Sequence, residues 1–437
     1  MAMGEGSGVL IRESPLWRGE RGLYAGGIRG GACSIIARTM PSTIVRAPAA
    51  GPKLRLAALP PLALYVHVPW CVRKCPYCDF NSHELREALP EGAYVDALVA
   101  DLERALPSVW GRRVHSIFFG GGTPSLLSAA AVDRLLAAIR ARLPLAADAE
   151  ITLEANPGTF EAEKFRDFRA AGVNRLSIGI QSFDPAQLKA LGRIHDDREA
   201  HRAIEIAHAS FGNFNLDLMY ALPGQTLPQA AADVAAALAA RAPHLSFYHL
   251  TLEPNTLFHR FPPPLPDEET SAAIGDMVEE RLVAAGYVHY ETSAYARPGA
   301  ECRHNLNYWR FGDYLGIGAG AHSKISFPDR IVRELRFKQP RDYLARAAAG
   351  DAVQEHKAVE RRDLGFEFMM NALRLTAGFD VALFAERTGL AIAAADRPLA
   401  AAEAKGLVER DHLRIRPTPL GARFLNDLLQ LFLPEAK

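Results

Sequence analysis

The chain has 437 residues, too long for a single small module and long enough for two or three domains, or one large barrel with an accessory domain. Hydrophobic residues make up 49% and charged residues 23%, which excludes wholesale disorder. Its 50 basic residues cancel 50 acidic ones, so the basic excess of a protein that wraps nucleic acid is absent and any partner surface is local.

Residues 1–58 are rich in Gly, Arg, Ser and Pro and lack apolar periodicity; they are expected to be a disordered leader, or to follow from a start codon placed too early, with Met40 the alternative start. Arg12, Arg18, Arg21, Arg29 and Arg38 suit a transit peptide, whereas Glu5, Glu13 and Glu20 do not. No run of about 18 apolar residues is free of charge or proline, so no spanning helix is predicted and the expected location is cytoplasmic. An apolar strand at 62–68 ends at Pro69 and opens into a loop. Further β-rich runs at 115–119, 150–153, 175–180, 215–219 and 245–250 alternate with helical stretches at 94–106, 130–142, 162–171, 185–191 and 197–209. Six strands fall short of a closed eight-stranded barrel, so the expected fold is α/β, an open partial (β/α)6 barrel over residues 59–330. Residues 331–437 are expected to form a winged-helix-like α+β domain, with helices at 366–373, 381–388, 398–406 and 420–433 and a short β-ribbon at 407–416. Its third helix offers Glu403 and Lys405 but no arginine fork to read bases, which favours a structural or substrate-covering module over a DNA reader.

The loop after Pro69 reads Trp70-Cys71-Val-Arg-Lys-Cys75-Pro-Tyr77-Cys78-Asp79-Phe80. Three of the five cysteines fall within eight residues, a pattern wrong for a disulfide framework and suited to metal binding in a reducing compartment; Cys33 and Cys302 stand apart. A closed zinc site needs a fourth ligand, for which only His67 and His83 are near. A four-iron cluster held by three thiolates leaves one iron open for a substrate or cofactor. Chemistry in such barrels gathers at the carboxyl ends of the strands, and these end in Gly120-Gly121-Gly122-Thr123-Pro124, Glu154, Gln181 and Asp217. Each feature alone is compatible with packing. Together they read as a ligand pocket.

Cys-x3-Cys-x2-Cys with an aromatic residue before the third cysteine resembles the signature of the radical S-adenosylmethionine (SAM) superfamily. The resemblance implies a [4Fe-4S] cluster on Cys71, Cys75 and Cys78 whose open iron chelates SAM, one-electron reduction of the sulfonium, and release of a 5′-deoxyadenosyl radical. Within the superfamily, Tyr65, Tyr77, Gly121, Gly122, Thr123, Glu154, Gln181, Arg193 and Asp217 look like the SAM-contacting set of the anaerobic coproporphyrinogen III oxidase family. Two features set the chain apart from the oxidases: position 80 is Phe, where they carry a fourth cysteine, and Cys302-Arg303-His304-Asn305-Leu306-Asn307-Tyr308-Trp309 is similar to the haem chaperone, HemW-like branch. That resemblance implies haem as a further ligand, with His304, Asn305, Tyr308 and Trp309 as candidate contacts, and a haem-acceptor protein that could itself be membrane-associated. Taken without it, His304 reads as a hydrogen-bonded structural histidine, Cys302 as a buried free thiol and His322 as structural. The leading expectation is a haem chaperone; the rivals are an oxygen-independent coproporphyrinogen III oxidase, fed by a donor such as flavodoxin or ferredoxin, and an iron-sulfur sensor that binds DNA through its tail.

Overall fold

The computed structural model describes residues 54–159 and 162–434. Most of the expected leader, with Met40 and Cys33, lies outside the described residues.

Six parallel strands stand side by side in chain order: β1 (Leu62–Val68), β2 (Val114–Gly121), β3 (Leu145–Ala155), β4 (Arg175–Gln181), β5 (Phe214–Tyr220) and β6 (His244–His249). Between them run α1 (Glu91–Val109), α2 (Ala129–Arg142), α3 (Ala162–Ala171), α4 (Pro185–Ala190), α5 (Asp197–Ser210) and α6 (Leu227–Ala239). The sheet continues past β6 through an antiparallel hairpin, β7 (Val288–Glu291) and β8 (Ala294–Ala296), with β8 against β6. On its other side β9 (Asp313–Ile317) lies parallel to β1, followed by antiparallel β10 (His322–Phe327), β11 (Arg330–Arg336) and β12 (Val353–Ala358). The order β12-β11-β10-β9-β1-β2-β3-β4-β5-β6-β8-β7 ends in two edge strands, so the sheet is the open α/β arrangement expected.

Strand residues alternate between the two faces of a sheet, and here the alternation separates two chemistries. One set, including Leu64, Val66, Ile117, Leu153, Ile178, Leu216 and Leu245, joins helix residues such as Leu98, Leu136 and Ala203 in the main apolar core. The alternate set, Ser116, Glu150, Thr152, Glu154, Arg175, Ser177, Asn215, Asp217, His244, Ser246 and Tyr248, is polar and almost entirely buried. Helix starts are specified locally: in α5, Asp196 accepts from the Glu199 amide (2.8 Å) while the Glu199 carboxylate accepts from the Asp196 amide (2.9 Å), a cap worth about 1 kcal/mol.

A second core gathers Phe368, Met369, Phe384, Leu399, Val408, Ile415 and Leu428 around α10 (Leu364–Ala372), α11 (Val381–Thr388), α12 (Asp396–Ala404) and a small sheet of Phe379–Asp380, Arg414–Pro417 and Val408–Arg410. Three details differ from the sequence expectation. Residues 330–358, assigned from sequence largely to the C-terminal domain, supply β11, β12 and the intervening helix Pro340–Ala348, because the unpaired edge of β10 is covered by extending the main sheet. Leu54 and Leu56, within the expected leader, are buried in the second core. The expected helix at 420–433 is broken at Phe424 (φ −106°, ψ 43°) into Pro419–Arg423 and Leu425–Gln430; beyond the break Leu425 and Leu428 reach the core while Leu420 and Phe424 stay exposed.

Candidate cluster and cofactor site

The cysteine loop is pinned at both ends. Trp70–Cys71 pairs with His83–Glu84 in a two-residue ladder, and the His83 amide donates to the Pro69 carbonyl (2.7 Å). Inside the loop Lys74 Nζ donates to the carbonyls of Phe80 (3.1 Å) and Ser82 (3.0 Å). All three thiols are free and partly exposed. Burial raises the Cys71 and Cys78 thiols, the latter to about 11, and the mutual closeness of the loop cysteines adds to both; hydrogen bonds from Thr123 and Ser82 to Cys71 act the other way. Thiols that resist ionisation alone but are crowded together give up their protons to a metal. Arg193 Nη1 approaches Cys75 Sγ at 3.6 Å, a cation placed where thiolate charge would collect. His67 makes no fourth ligand, since its ring meets Tyr65 Oη (3.1 Å) and the Asn81 carbonyl (2.9 Å); among the described residues no three His, Cys, Asp or Glu side chains converge on a single ion. Three undisulfided thiols with a neighbouring guanidinium fit a cluster that leaves one iron open.

The glycine turn closes over the start of this loop. Gly122 N donates to the Val68 carbonyl (2.7 Å) and Thr123 N to that of Trp70 (2.7 Å). A Cβ on Gly122 would lie 2.5 Å from the Trp70 oxygen, and Gly121 has φ +112° with the His67 ring as close, so only glycine fits at either position. Gly121 N donates to Glu154 Oε2 (3.1 Å), and Asn156 Nδ2 ties Thr123 Oγ1 (2.8 Å) to the far side. Arg193 Nη2 donates to Asn156 Oδ1 (2.6 Å) and to the Gly179 carbonyl (2.7 Å), so one guanidinium spans cluster loop and strand ends. Gln181 sits at φ 68°, a left-handed turn that ends β4. Tyr77 is buried beside Phe258, ring centres 6.3 Å apart.

Two carboxylates face this pocket. Burial, then the charge of Asp217, raises Glu154 to about 8, and the Gly121 amide opposes the shift. Asp217 is raised by burial, against hydrogen bonds from Ser177 Oγ (2.9 Å) and Asn215 Nδ2 (2.8 Å). The support runs deeper: Asn215 Oδ1 meets His244 Nδ1 (2.7 Å), and His244 Nε2 meets Tyr290 Oη (2.7 Å). Sequence reading passed over Ser177, Asn215, His244 and Ser246, yet the alternation Leu-Ser-Ile-Gly, Asn-Leu-Asp-Leu and His-Leu-Ser-Phe along β4, β5 and β6 carried the signal.

The candidate haem residues lie on a different part of the polar face. His304 belongs to the helix α8 (Arg303–Trp309), which is defined once the chain reaches Cys302 and whose first amides, those of Arg303 and His304, donate to the Glu150 carboxylate (3.1 and 3.0 Å). Its ring is buried, with Nδ1 bonded to Ser116 Oγ (2.9 Å) and Nε2 to Tyr308 Oη (3.1 Å); burial, then the charge of Arg175, lowers it to about 3. Neither ring nitrogen is open to an iron in this arrangement. Tyr65 joins this group, 6.4 Å from His304 ring to ring. Asn305 is half-buried, and Trp309 is buried under the Arg374 guanidinium. Cys302 is buried beside Glu150; burial, with a smaller contribution from the Glu150 charge and against that of Arg175, raises its thiol to about 12. Phe80 is 37% exposed at the rim of the cluster loop.

An open α/β sheet with three thiols after its first strand and a polar pocket at its strand ends defines a radical SAM fold, and the Radical SAM superfamily model matches residues 65–235. The HemN C-terminal domain model matches residues 359–424. A solved coproporphyrinogen III oxidase, HemN from Escherichia coli, has a similar fold: TM-score 0.73 at 26% identity, over 86% of this chain and 90% of that one. The chain is 51% identical to the heme chaperone HemW of Escherichia coli over 87% of its own length and 100% of that protein's. It is 34% identical to HemW of Bacillus subtilis over 85% and 99% respectively. The chain therefore belongs to the HemW family within the radical SAM superfamily.

Proposed function

We propose that the chain is a haem chaperone that holds one [4Fe-4S] cluster on Cys71, Cys75 and Cys78, binds SAM in the pocket of Gly121, Gly122, Thr123, Glu154, Gln181, Arg193 and Asp217, binds haem, and passes it to an acceptor protein in the cytoplasm. The observation that carries this reading is the end-to-end likeness to HemW, spanning barrel and C-terminal domain together. Phe80 at the loop rim supports it, since no thiol stands at that position. When bound, the cluster and SAM supply one-electron chemistry. The chain's own residues do the rest: the glycine turn admits a ligand to its backbone amides, Arg193 bridges thiols and pocket, and Asp217 is oriented by Ser177 and Asn215. Tyr77 lies beside Arg193 at the pocket, whereas Tyr65 lies beside His304, whose ring bonds Tyr308 and Ser116. No helix among the described residues is long and apolar enough to cross a membrane, so a membrane-associated acceptor would be met at its surface.

The HemN-like fold with an intact pocket favours one second reading, oxygen-independent coproporphyrinogen III oxidase supplied by flavodoxin or ferredoxin. Anaerobically reconstituted protein is mixed with haem, or with coproporphyrinogen III, SAM and reduced flavodoxin. Stoichiometric haem binding without porphyrinogen conversion is the expected result. Sustained formation of protoporphyrinogen overturns it in favour of the oxidase.

A further inference from the structure

Three segments far apart in the chain meet beside β6 around one guanidinium. Arg374 follows α10 and is docked through its backbone carbonyl, which accepts from the Thr292 amide at 3.1 Å. It is 8% exposed, and its Nε and Nη2 are buried without a hydrogen-bond partner. Its Cζ lies 4.3 Å from the centre of the Trp309 ring, whose own Nε1 is also buried and without a partner. The neighbouring carboxylate, Glu291, is 2% exposed and stands 3.8 Å from Nη2, too far to accept a hydrogen bond; its Oε1 is taken by Ser293 and its Oε2 has no partner. Buried donors left unmade on a charged group are costly, and such a deficit marks a place completed by something else.

The location and the donor set narrow what that is. Ser293, next to the Thr292 that docks Arg374, accepts from the Phe247 amide of β6 at 2.8 Å, and the next residue on β6, Tyr248, reaches Asp217 through its hydroxyl at 3.4 Å, so the deficit adjoins the proposed SAM pocket. A guanidinium edge with an indole N–H nearby suits a planar carboxylate, and burial raises Glu291 toward its neutral form, in which its unbonded Oε2 does not repel a monoanion. Arg374, Trp309 and Glu291 are each at most 8% exposed, so the group that completes them is a side arm of the ligand and not the face of a macrocycle. We propose that Arg374 and the Trp309 indole N–H anchor a carboxylate of the ligand, which under the haem reading above, on which this inference rests, is a propionate side chain of haem. The C-terminal domain thereby contributes a specificity residue to the polar face of the barrel sheet.

The test compares haemin with its dimethyl ester, which keeps the ring and iron and loses both negative charges, by absorbance titration of the full chain carrying its reconstituted cluster. Wild-type protein binds haemin about tenfold to hundredfold more tightly than the ester, the range for loss of a charge-assisted hydrogen bond. Arg374→Gln loses that preference while iron and sulfide content stays unchanged, and Arg374→Lys retains part of it. Equal affinity of the wild-type chain for haemin and ester overturns the anchor, and this comparison needs no variant to fold. A preference that survives in Arg374→Gln overturns it as well. Absence of haem binding in the wild-type chain defeats the haem reading and the anchor together, whereas binding indifferent to Arg374 defeats the anchor alone.

Discussion

Replacing His304 by Ala distinguishes an iron ligand from a residue that organises the polar face of the sheet. The substitution removes two buried hydrogen bonds, to Ser116 and Tyr308, and leaves a hole among rings at 5.0 Å (Phe118), 4.9 Å (Tyr308) and 6.4 Å (Tyr65). Two bonds at about 1 kcal/mol each, plus a partly collapsed cavity, predict a loss of about 3–5 kcal/mol. A second signature follows from titration. The buried ring is neutral down to about 3, whereas in the unfolded chain it takes up a proton through its ordinary value near 6.5. The unfolded state therefore binds more protons than the folded state between these values, and stability falls as pH falls through this window. His304 alone accounts for about 2 kcal/mol of loss between pH 7 and pH 5. Urea unfolding at both pH values, wild type against His304→Ala, measures the two quantities. The variant is less stable at pH 7, and the gap narrows at pH 5. His304→Gln, which can still bond one neighbour, recovers part of the loss at pH 7. A variant as stable as wild type at both pH values, with the haem absorption band displaced, would refute this reasoning and make His304 the iron ligand.

Cys71→Ala, Cys75→Ala and Cys78→Ala each abolish the cluster in anaerobic iron and sulfide assays, whereas Cys302→Ala, buried against Glu150, leaves it intact. Glu154→Gln leaves stability unchanged near pH 5 and raises it at pH 9 by roughly 2–4 kcal/mol, because a carboxyl raised to about 8 by burial costs stability as pH rises from its ordinary value through 8, less in a side chain that keeps partial solvent contact; urea melts at both pH values decide it. Gly122→Ala forces a Cβ to within 2.5 Å of the Trp70 oxygen, so it costs about 1–3 kcal/mol and weakens the SAM-induced change in the reduced cluster's spectrum, read by electron paramagnetic resonance titration.

Several of these residues were legible because their signals are local. Three thiols within eight residues belong to one loop whatever surrounds it, and the six strands announced themselves by apolar runs bounded by polar or glycine-rich ends; Leu62–Val68 has the bounds read from sequence, and the others differ by one to several residues at their ends. The glycine turn was weaker evidence, since many turns after a strand need glycine; it gained meaning only together with Glu154, Gln181 and Asp217 at the neighbouring strand ends.

Other features depend on which distant segments meet. His304 reads the same in a chain whether its ring faces a ligand or a neighbour, and its partner Ser116 lies 188 residues away. The main sheet extends through β11 and β12 because an exposed edge beside β10 invites pairing, a consequence of sheet closure that no short window records. Arg374, Trp309 and Glu291 are individually ordinary residues, and only the docking of the segment after α10 against the β7–β8 hairpin leaves their polar atoms buried together without partners. Sequence by itself determined the cysteine loop and the strand pattern, because covalent spacing and side-chain alternation are set along the chain, and it carried the motifs on which the family resemblance rests. The tertiary structure decided which polar groups are satisfied and which are left waiting, because desolvation and hydrogen-bond geometry exist only once the elements have packed.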